Sequence, residues 1–420
     1  YYPQGWNTYA AEGVKQHVNI PVITSHTLSD PGYCEKILAE GKADLVGLSR
    51  QMIADPYWAN KAYEGKTEAI RKCISCLVGC WQESLMIRRY MRCAVNPAVG
   101  DERFIHLKPA RVKQNVAIVG GGPGGMEAAR IAALRGHKPT IFERTGELGG
   151  AILLCCTVPG KRKMRWYADW LRRQMTELEV DVRLRTTPTV EELQSFDAVI
   201  LATGGRVAWP DVPGVDGACV STFNDVLRCR TEKCEFFPQD KPPPLAECGQ
   251  TVLVWGDHFA AADTAEKLAA EGKKVYVVTD RPEFAQWMEP CHRDVMLKRF
   301  AGSNGEGLKG EPFENPVTVI ARSTVLEIAP EGEVTLMDDQ FRKSTLSVDN
   351  VILSSVEPDD TLYEELLEAG VTAVKIGDAR KVRNLRAAVT EGANAGLTLD
   401  EGLRLNANRT MISKLPTEVK

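Results

Sequence analysis

The run Val116-Ala-Ile-Val-Gly120-Gly-Gly122-Pro-Gly-Gly125-Met-Glu-Ala-Ala-Arg130 leaves this chain few folds to choose from. Four apolar residues lead into a cluster of glycines and then into a helix-forming stretch, the order strand, turn, helix. Gly120, Gly122 and Gly125 fill the spacing G-x-G-x-x-G. The first allows the tight turn, the second lets a pyrophosphate reach the backbone, and the third lets helix pack on strand. The helix start then turns its unpaired N–H groups and partial positive charge toward the phosphates. Pro139-Thr-Ile-Phe-Glu143 reads as the next strand, ending in an acid where a ribose diol is held, with Arg144 beside it. Such a unit belongs to a parallel sheet covered by helices, and the ligand it predicts is a dinucleotide.

A second unit of the same kind follows: Gln250-Thr-Val-Leu-Val-Trp-Gly256-Asp-His258-Phe-Ala-Ala261, with Lys274 to Thr279 as its second strand. Its glycine code is eroded, because His258 stands at the second glycine and Ala261 at the third. Alanine is tolerated there, but a side chain at the second position obstructs close phosphate approach. The unit is expected either to bind NAD(P)H through altered contacts or only to pack. No acid ends its second strand, and Arg281, just beyond, reads as a solvated loop residue. Trp287 and His292 are within reach of a nicotinamide, with a packed histidine as the plainer alternative.

Cys73-Ile-Ser-Cys76-Leu-Val-Gly-Cys80 and Cys93 form the pattern C-x2-C-x3-C-x12-C. Three thiolates on one tight loop and a fourth from beyond a short helical segment suit a [4Fe-4S] cluster. Zinc also accepts four thiolates, though usually through two C-x2-C knuckles, and one such knuckle is present here. Cys155-Cys156 reads as a packed pair, since vicinal cysteines make poor disulfide partners. Cys229, Cys234 and Cys248 flank Pro242-Pro-Pro244 in what reads as an insertion loop, with no metal site expected. Twelve cysteines in 420 residues are too sparse for a disulfide scaffold, and a reducing cytoplasm is the natural compartment.

A net charge of −4 with both signs interspersed supplies no basic stripe for nucleic acid and no polybasic anchor. No apolar run approaches the ~18 residues of a membrane span, and no secretory signal opens the chain. Residues 1–65 alternate: helix from Trp6 to His17, strand from Ile20 to Thr24, helix from Asp30 to Gly41, strand from Asp44 to Leu48. This is βα repetition, but two units cannot close a (β/α)8 barrel of roughly 250 residues. Tyr1-Tyr2-Pro3 is not a plausible translation start, so the chain is expected to begin inside a longer polypeptide.

The runs Ile20-Pro-Val-Ile-Thr-Ser-His26 and Ile37-Leu-Ala-Glu-Gly-Lys-Ala-Asp-Leu-Val-Gly-Leu-Ser-Arg-Gln-Met-Ile-Ala-Asp-Pro56 resemble the end of an FMN barrel of the old yellow enzyme type. With the cysteine loop behind them, nearly the whole chain resembles the NADH:flavin oxidoreductase group that includes 2,4-dienoyl-CoA reductase and trimethylamine dehydrogenase. The resemblance implies that Ser25, His26, Ser49 and Arg50 hold the FMN phosphate. A Gly-Arg pair is usual where Ser25-His26 stands, and a glycine where Ser49 stands. Gly146-Glu-Leu-Gly149-Gly150, Ala198-Val-Ile-Leu-Ala-Thr203-Gly204-Gly205 and Ile376-Gly377-Asp378 resemble, in order and spacing, the FAD domain of the two-dinucleotide disulfide reductases. FAD is the dinucleotide this implies, with Asp378 on its ribityl or pyrophosphate, although trimethylamine dehydrogenase holds ADP there.

The implied α/β architecture is the C-terminal end of a TIM barrel (1–65), a cluster loop and connector (66–108), an FAD domain (109–225 and 345–404), a nested NAD(P)H-binding-like domain (226–344) and a tail (405–420). Residues 302–316 read as a flexible surface loop, and the tail as a segment able to cross to a partner subunit. The implied chemistry passes electrons from NAD(P)H through FAD and the cluster to FMN, which reduces an activated C=C bond in an enoyl or dienoyl thioester or a related small molecule. An amine dehydrogenase feeding an external flavoprotein and an electron-transfer subunit are the alternatives. No proton donor for the reaction is identifiable, and the assembly is expected to be a homo-oligomer or a complex with further redox subunits.

Overall fold

Asn115–Val119, the strand that leads into the first glycine run, is the centre of a five-stranded parallel sheet. Lys138–Glu143 and then Asp181–Leu184 lie on one side of it, Ala198–Leu201 and then Ala373–Lys375 on the other. Ala198–Leu201 is buried throughout, as a strand covered by helices on both faces must be. The helices Pro123–Leu134 and Leu385–Thr398 cross at glycines: a Cβ on Gly392 would stand 2.2 Å from the Gly124 carbonyl oxygen. This computed structural model describes residues 2–103, 105, 107–228, 248–302, 313 and 315–401. Cys229, Cys234, Pro242 to Pro244, most of 302–316 and the tail 405–420 lie outside the described residues.

A second five-stranded parallel sheet runs Thr318–Ile320, Lys274–Val278, Thr251–Trp255, Asn350–Leu353, Val220–Thr222. An antiparallel sheet of Ser323–Ile328, Glu333–Asp338 and Lys343–Ser347 adjoins it. The antiparallel pair Gly205–Val207 and Val356–Pro358 carries the chain out of the first unit and back. The nested unit is therefore wider than the expected 226–344, since Val220–Thr222 and Asn350–Leu353 both pair inside its sheet. Short apolar strands look alike in sequence, and only their pairing shows which sheet they join.

Near the start of the chain, Ile23–Ser25 pairs in parallel with Leu45–Gly47, with the helices Thr8–Lys15 and Pro31–Ala39 beside them. Ile20 and Ile23 are exposed at 70% and 60%, more than an apolar residue in a covered barrel strand would be. The segment between this pair and the first glycine run is tied to both neighbours. Asn96 Nδ2 donates to the Ile53 carbonyl (3.0 Å) and Arg386 meets Glu83 at 2.7 Å. Among the described residues no helix is long and apolar enough to cross a membrane.

Candidate functional site

At Gly120 φ is +109°, and a Cβ would stand 2.3 Å from the Ala202 carbonyl oxygen; at Gly125 it would stand 2.0 Å from that of Gly120. Neither position admits a side chain. Gly122 differs, because a Cβ there would meet nothing within 4 Å. It precedes the helix Pro123–Leu134 with no side-chain cap, so the first N–H groups of that helix face open space. Glu143 is buried and braces the turn: Oε2 accepts from Gly121 N, and Oε1 from the Thr145 amide and hydroxyl, each at 2.8 Å. Sequence reading assigned the acid to a ribose and missed this second task, which leaves further lone pairs on the carboxylate.

The later motifs close round the same space. Gly149 N donates to the Gly121 carbonyl (2.8 Å), and a Cβ on Gly150 would lie 3.1 Å from Gly122 Cα. Thr203 Oγ1 donates to the Asp359 carbonyl (2.7 Å), and Gly204 accepts from Asp359 N (3.1 Å). Gly377 N donates to Glu391 (2.8 Å) and Arg383 N to Asp378 Oδ1 (2.9 Å). Burial pushes the Asp378 carboxyl above its ordinary range. Gly120, Gly122, Glu143, Arg144, Gly150, Thr203, Gly204, Gly377 and Asp378 all line one cavity of about 1010 Å³, the upper end of ligand-pocket size. An open glycine, an uncapped helix start and a long cavity fit a flavin dinucleotide.

The nested unit closes the cavity from the other side. Gly256 keeps its special backbone (φ +152°) and Ala261 is fully buried. His258 leaves its own helix uncapped and places Nε2 3.1 Å from the Arg383 carbonyl, in the loop that follows Asp378. The histidine that breaks the glycine code is thus a contact between units. Lys161 and Asp263 form a second such contact, an ion pair across the cavity wall. No sequence signal marked it, since 102 positions separate the partners. His292 lines the cavity with Nδ1 2.9 Å from Glu289, whereas Trp287 is 63% exposed and outside it. Arg281 is exposed beside Asp280, as expected.

Burial lowers the His258 pKa, and the carboxylates of Asp378, Asp257 and Asp263 oppose that shift only in part. A histidine whose folded pKa lies below its unfolded value costs stability as pH falls through ~6.5, because the unfolded chain binds the proton first. Replacing His258 with glutamine is expected to flatten the acid side of the stability profile below pH ~6.5, by at most about 1.4 kcal/mol per pH unit. Urea unfolding at several pH values reads this directly. An unchanged slope would mean that the ring is not desolvated.

Cys73, Cys76, Cys80 and Cys93 line a small cavity with Arg50, Ile53, Ile74, Leu77 and Val95. Ser75 and Leu77 take left-handed conformations (φ +59° and +58°) that curl the loop. Backbone N–H groups of Ser75, Val78, and Val95 with Asn96 point at the sulfurs of Cys73, Cys76 and Cys93. A Cβ on Gly79 would strike the Arg92 carbonyl at 2.5 Å. All four thiols are free, and burial pushes that of Cys80 up to about 11. Among the described residues no three or more Cys, His, Asp or Glu converge where a single ion would sit. The four cysteines instead line one space, and with N–H groups at three of them the donor set fits a cluster. Ile74, Ser75, Cys76 and Ala94 line the large cavity as well, so the two spaces share a wall.

Ser25, His26 and Ser49 are exposed at one end of the two-stranded sheet, where Ser25 faces Gly47 in register. His26 holds φ +98° with its ring edge-on to Trp6 at 5.1 Å. Arg50 reaches the cysteine cavity instead. Hydroxyls and backbone N–H groups at the ends of adjacent parallel strands suit a phosphate, and two strands provide only part of such a cradle. Cys155 lines the large cavity while Cys156 is packed in the core, so the vicinal pair is not a disulfide.

Residues 114–377 match the pyridine nucleotide-disulphide oxidoreductase family, and residues 3–69 the NADH:flavin oxidoreductase / NADH oxidase family. An NADH oxidase of Thermoanaerobacter brockii is 35% identical over 398 residues, 93% of this chain and 57% of that protein. A cinnamate reductase of Clostridium sporogenes is 31% identical over 382 residues, 90% of this chain and 53% of that protein. A 2-naphthoyl-CoA reductase in complex with 2-naphthoyl-CoA superposes with a TM-score of 0.81 at 27% identity, covering 94% of this chain and 56% of that one. The chain thus spans little more than half the length of these relatives. Its glycine turns, nested sheets and leading βα pair show that it belongs to the pyridine nucleotide-disulphide oxidoreductase family, in the arrangement of the NADH:flavin oxidoreductase and dienoyl-CoA reductase group.

Proposed function

We propose that this chain is the electron-handling part of an NAD(P)H-dependent flavin oxidoreductase that reduces an activated C=C bond. FAD would occupy the large cavity, a [4Fe-4S] cluster the four cysteines, and FMN the sheet end at Ser25, His26 and Ser49 with Arg50 between phosphate and cluster. The observation that carries the reading is the shared wall: Cys76 borders both the cysteine cavity and the large cavity. When bound, flavins and an iron–sulfur centre connect the two-electron chemistry of a nicotinamide with one-electron transfer.

The chain's own residues bind and orient. The uncapped N–H groups after Gly122 would take the pyrophosphate, Glu143 the adenosine ribose through its remaining lone pairs, and Asp378 the flavin side of the molecule. His258 and the Lys161–Asp263 pair hold the nested unit against the cavity. A nicotinamide would enter beside Met288, Glu289 and His292. Relatives named for reduction of cinnamate and of 2-naphthoyl-CoA support an unsaturated acid or its thioester as the substrate class.

Anaerobic titration with NADH and NADPH tests this, following flavin absorbance and the paramagnetic signal of a reduced cluster. Bleaching of the flavin with growth of that signal is the expected result. Reduction by dithionite but by neither nucleotide would overturn the NAD(P)H direction. Electrons would then enter from an amine substrate and leave to an external flavoprotein, with the nested unit only packing.

A further inference from the structure

Beside the cysteine centre lies a group of charges that the reading above does not use, Glu127 buried and Arg71 and Arg130 half-buried. Arg71, two residues ahead of Cys73, donates Nε to the Ala54 carbonyl (2.9 Å) and lays its guanidinium over the Trp170 ring at 4.9 Å. Arg130 lies over the same ring at 5.5 Å and holds Glu127 through Nε (3.0 Å) and Nη2 (2.6 Å). Trp170 is fixed in turn, donating Nε1 to the Ala69 carbonyl (3.2 Å) and stacking on Tyr167 at 5.9 Å. Tyr167 is fully buried and its hydroxyl has no partner among the described residues. Cys93 packs against the core that contains Tyr167 and Trp170.

The backbone of Arg71 is equally constrained. Its N–H donates to Asp55 Oδ2 (2.9 Å), its carbonyl accepts from Gln51 Nε2 (3.1 Å), and Gln51 Oε1 accepts from Cys73 N (2.9 Å). Gln51 thus joins Arg71 to Cys73, and Ala54, whose carbonyl Arg71 holds, lies in the core against which Cys93 packs. Glu127 and Arg130 cancel one another as a buried pair, so the group carries one uncompensated positive charge, that of Arg71. Such a cation, packed on a ring and bonded to a carbonyl, costs desolvation, and its rigid placement next to the cysteines calls for a use.

We propose that Arg71 is a fixed charge that sets the reduction potential of the cluster held by Cys73, Cys76, Cys80 and Cys93; this rests on the iron–sulfur assignment above. Gaining one electron adds one negative charge to the centre. A half-buried cation held beside the centre stabilises that reduced state and raises the potential. Glu127 pulls the other way, and Arg130 offsets it. Opposite shifts therefore follow: Arg71→Gln lowers the potential, Glu127→Gln raises it, and Arg71→Lys, which keeps the charge, leaves it near that of the parent protein.

The test is a dithionite titration of the cofactor-loaded protein at set potentials, with the reduced cluster read by electron paramagnetic resonance and iron and sulfide assayed first. Arg71→Gln is expected to change the reduced-to-oxidised ratio at fixed potential about tenfold against reduction, a shift of ~59 mV for a one-electron couple. Glu127→Gln is expected to shift it in the opposite sense. If Arg71→Gln fails to load iron, Arg71→Met, which also removes the charge and keeps an unbranched stem on the Trp170 ring, is read in its place. Iron present with both neutral variants moving the potential the same way, or not at all, overturns this inference alone. Absence of iron and sulfide from the unmodified protein overturns the cluster assignment and this inference with it.

Discussion

Cys76→Ser is expected to strip the protein of iron and acid-labile sulfide and to slow nicotinamide-driven substrate reduction by at least about 100-fold, while leaving flavin content intact. A serine oxygen is a poor replacement for thiolate on iron, and Cys76 stands in the wall common to the cysteine cavity and the large cavity. Cys155→Ser is the matched control, because Cys155 lines the large cavity but not the cysteine cavity. Its iron content should equal that of the parent. Metal and sulfide analysis beside the flavin spectrum reads both variants. A Cys76→Ser protein that keeps its full iron would show that the centre is not built on these four thiols.

Two glycines of one turn are expected to fail in different ways. Gly120→Ala puts a Cβ 2.3 Å from the Ala202 carbonyl oxygen in a backbone with φ +109°. Overpacking and strain together cost about 3 kcal/mol, which lowers Tm by ~6–12 °C in a domain of this size. Gly122→Ala meets nothing within 4 Å and should melt like the parent. Its methyl projects where the pyrophosphate is expected, so FAD affinity should fall about tenfold or more, ~1.4 kcal/mol. Thermal unfolding and flavin-binding titrations separate the two effects. Equal flavin affinity in Gly122→Ala and parent would remove the phosphate from that turn.

The first glycine run was legible because its constraint is local. A left-handed turn at Gly120, and a Gly125 on which a Cβ would stand 2.0 Å from the Gly120 carbonyl oxygen, can be met only by residues without a side chain, so the requirement is written within six positions. The cysteine spacing was legible for the same reason, since Ser75 and Leu77 curl the loop over a few residues. The nested unit was harder to read. His258 removes the expected glycine, and its ring is directed to the Arg383 carbonyl 125 positions away. The borders of that unit also escaped, because Val220–Thr222 and Asn350–Leu353 declare their sheet only by pairing.

Sequence alone determined the order of the units, the dinucleotide turn and the four thiols, each of which depends on backbone geometry and residue type over a short span. The tertiary structure decided that Cys76 stands between two cavities, that Lys161 meets Asp263, that Arg50 turns to the cysteines, and that Arg71 is clamped between Ala54 and Trp170. Those contacts join residues tens to hundreds of positions apart. They follow from how covered sheets and helices pack against one another, and no spacing along the chain records them.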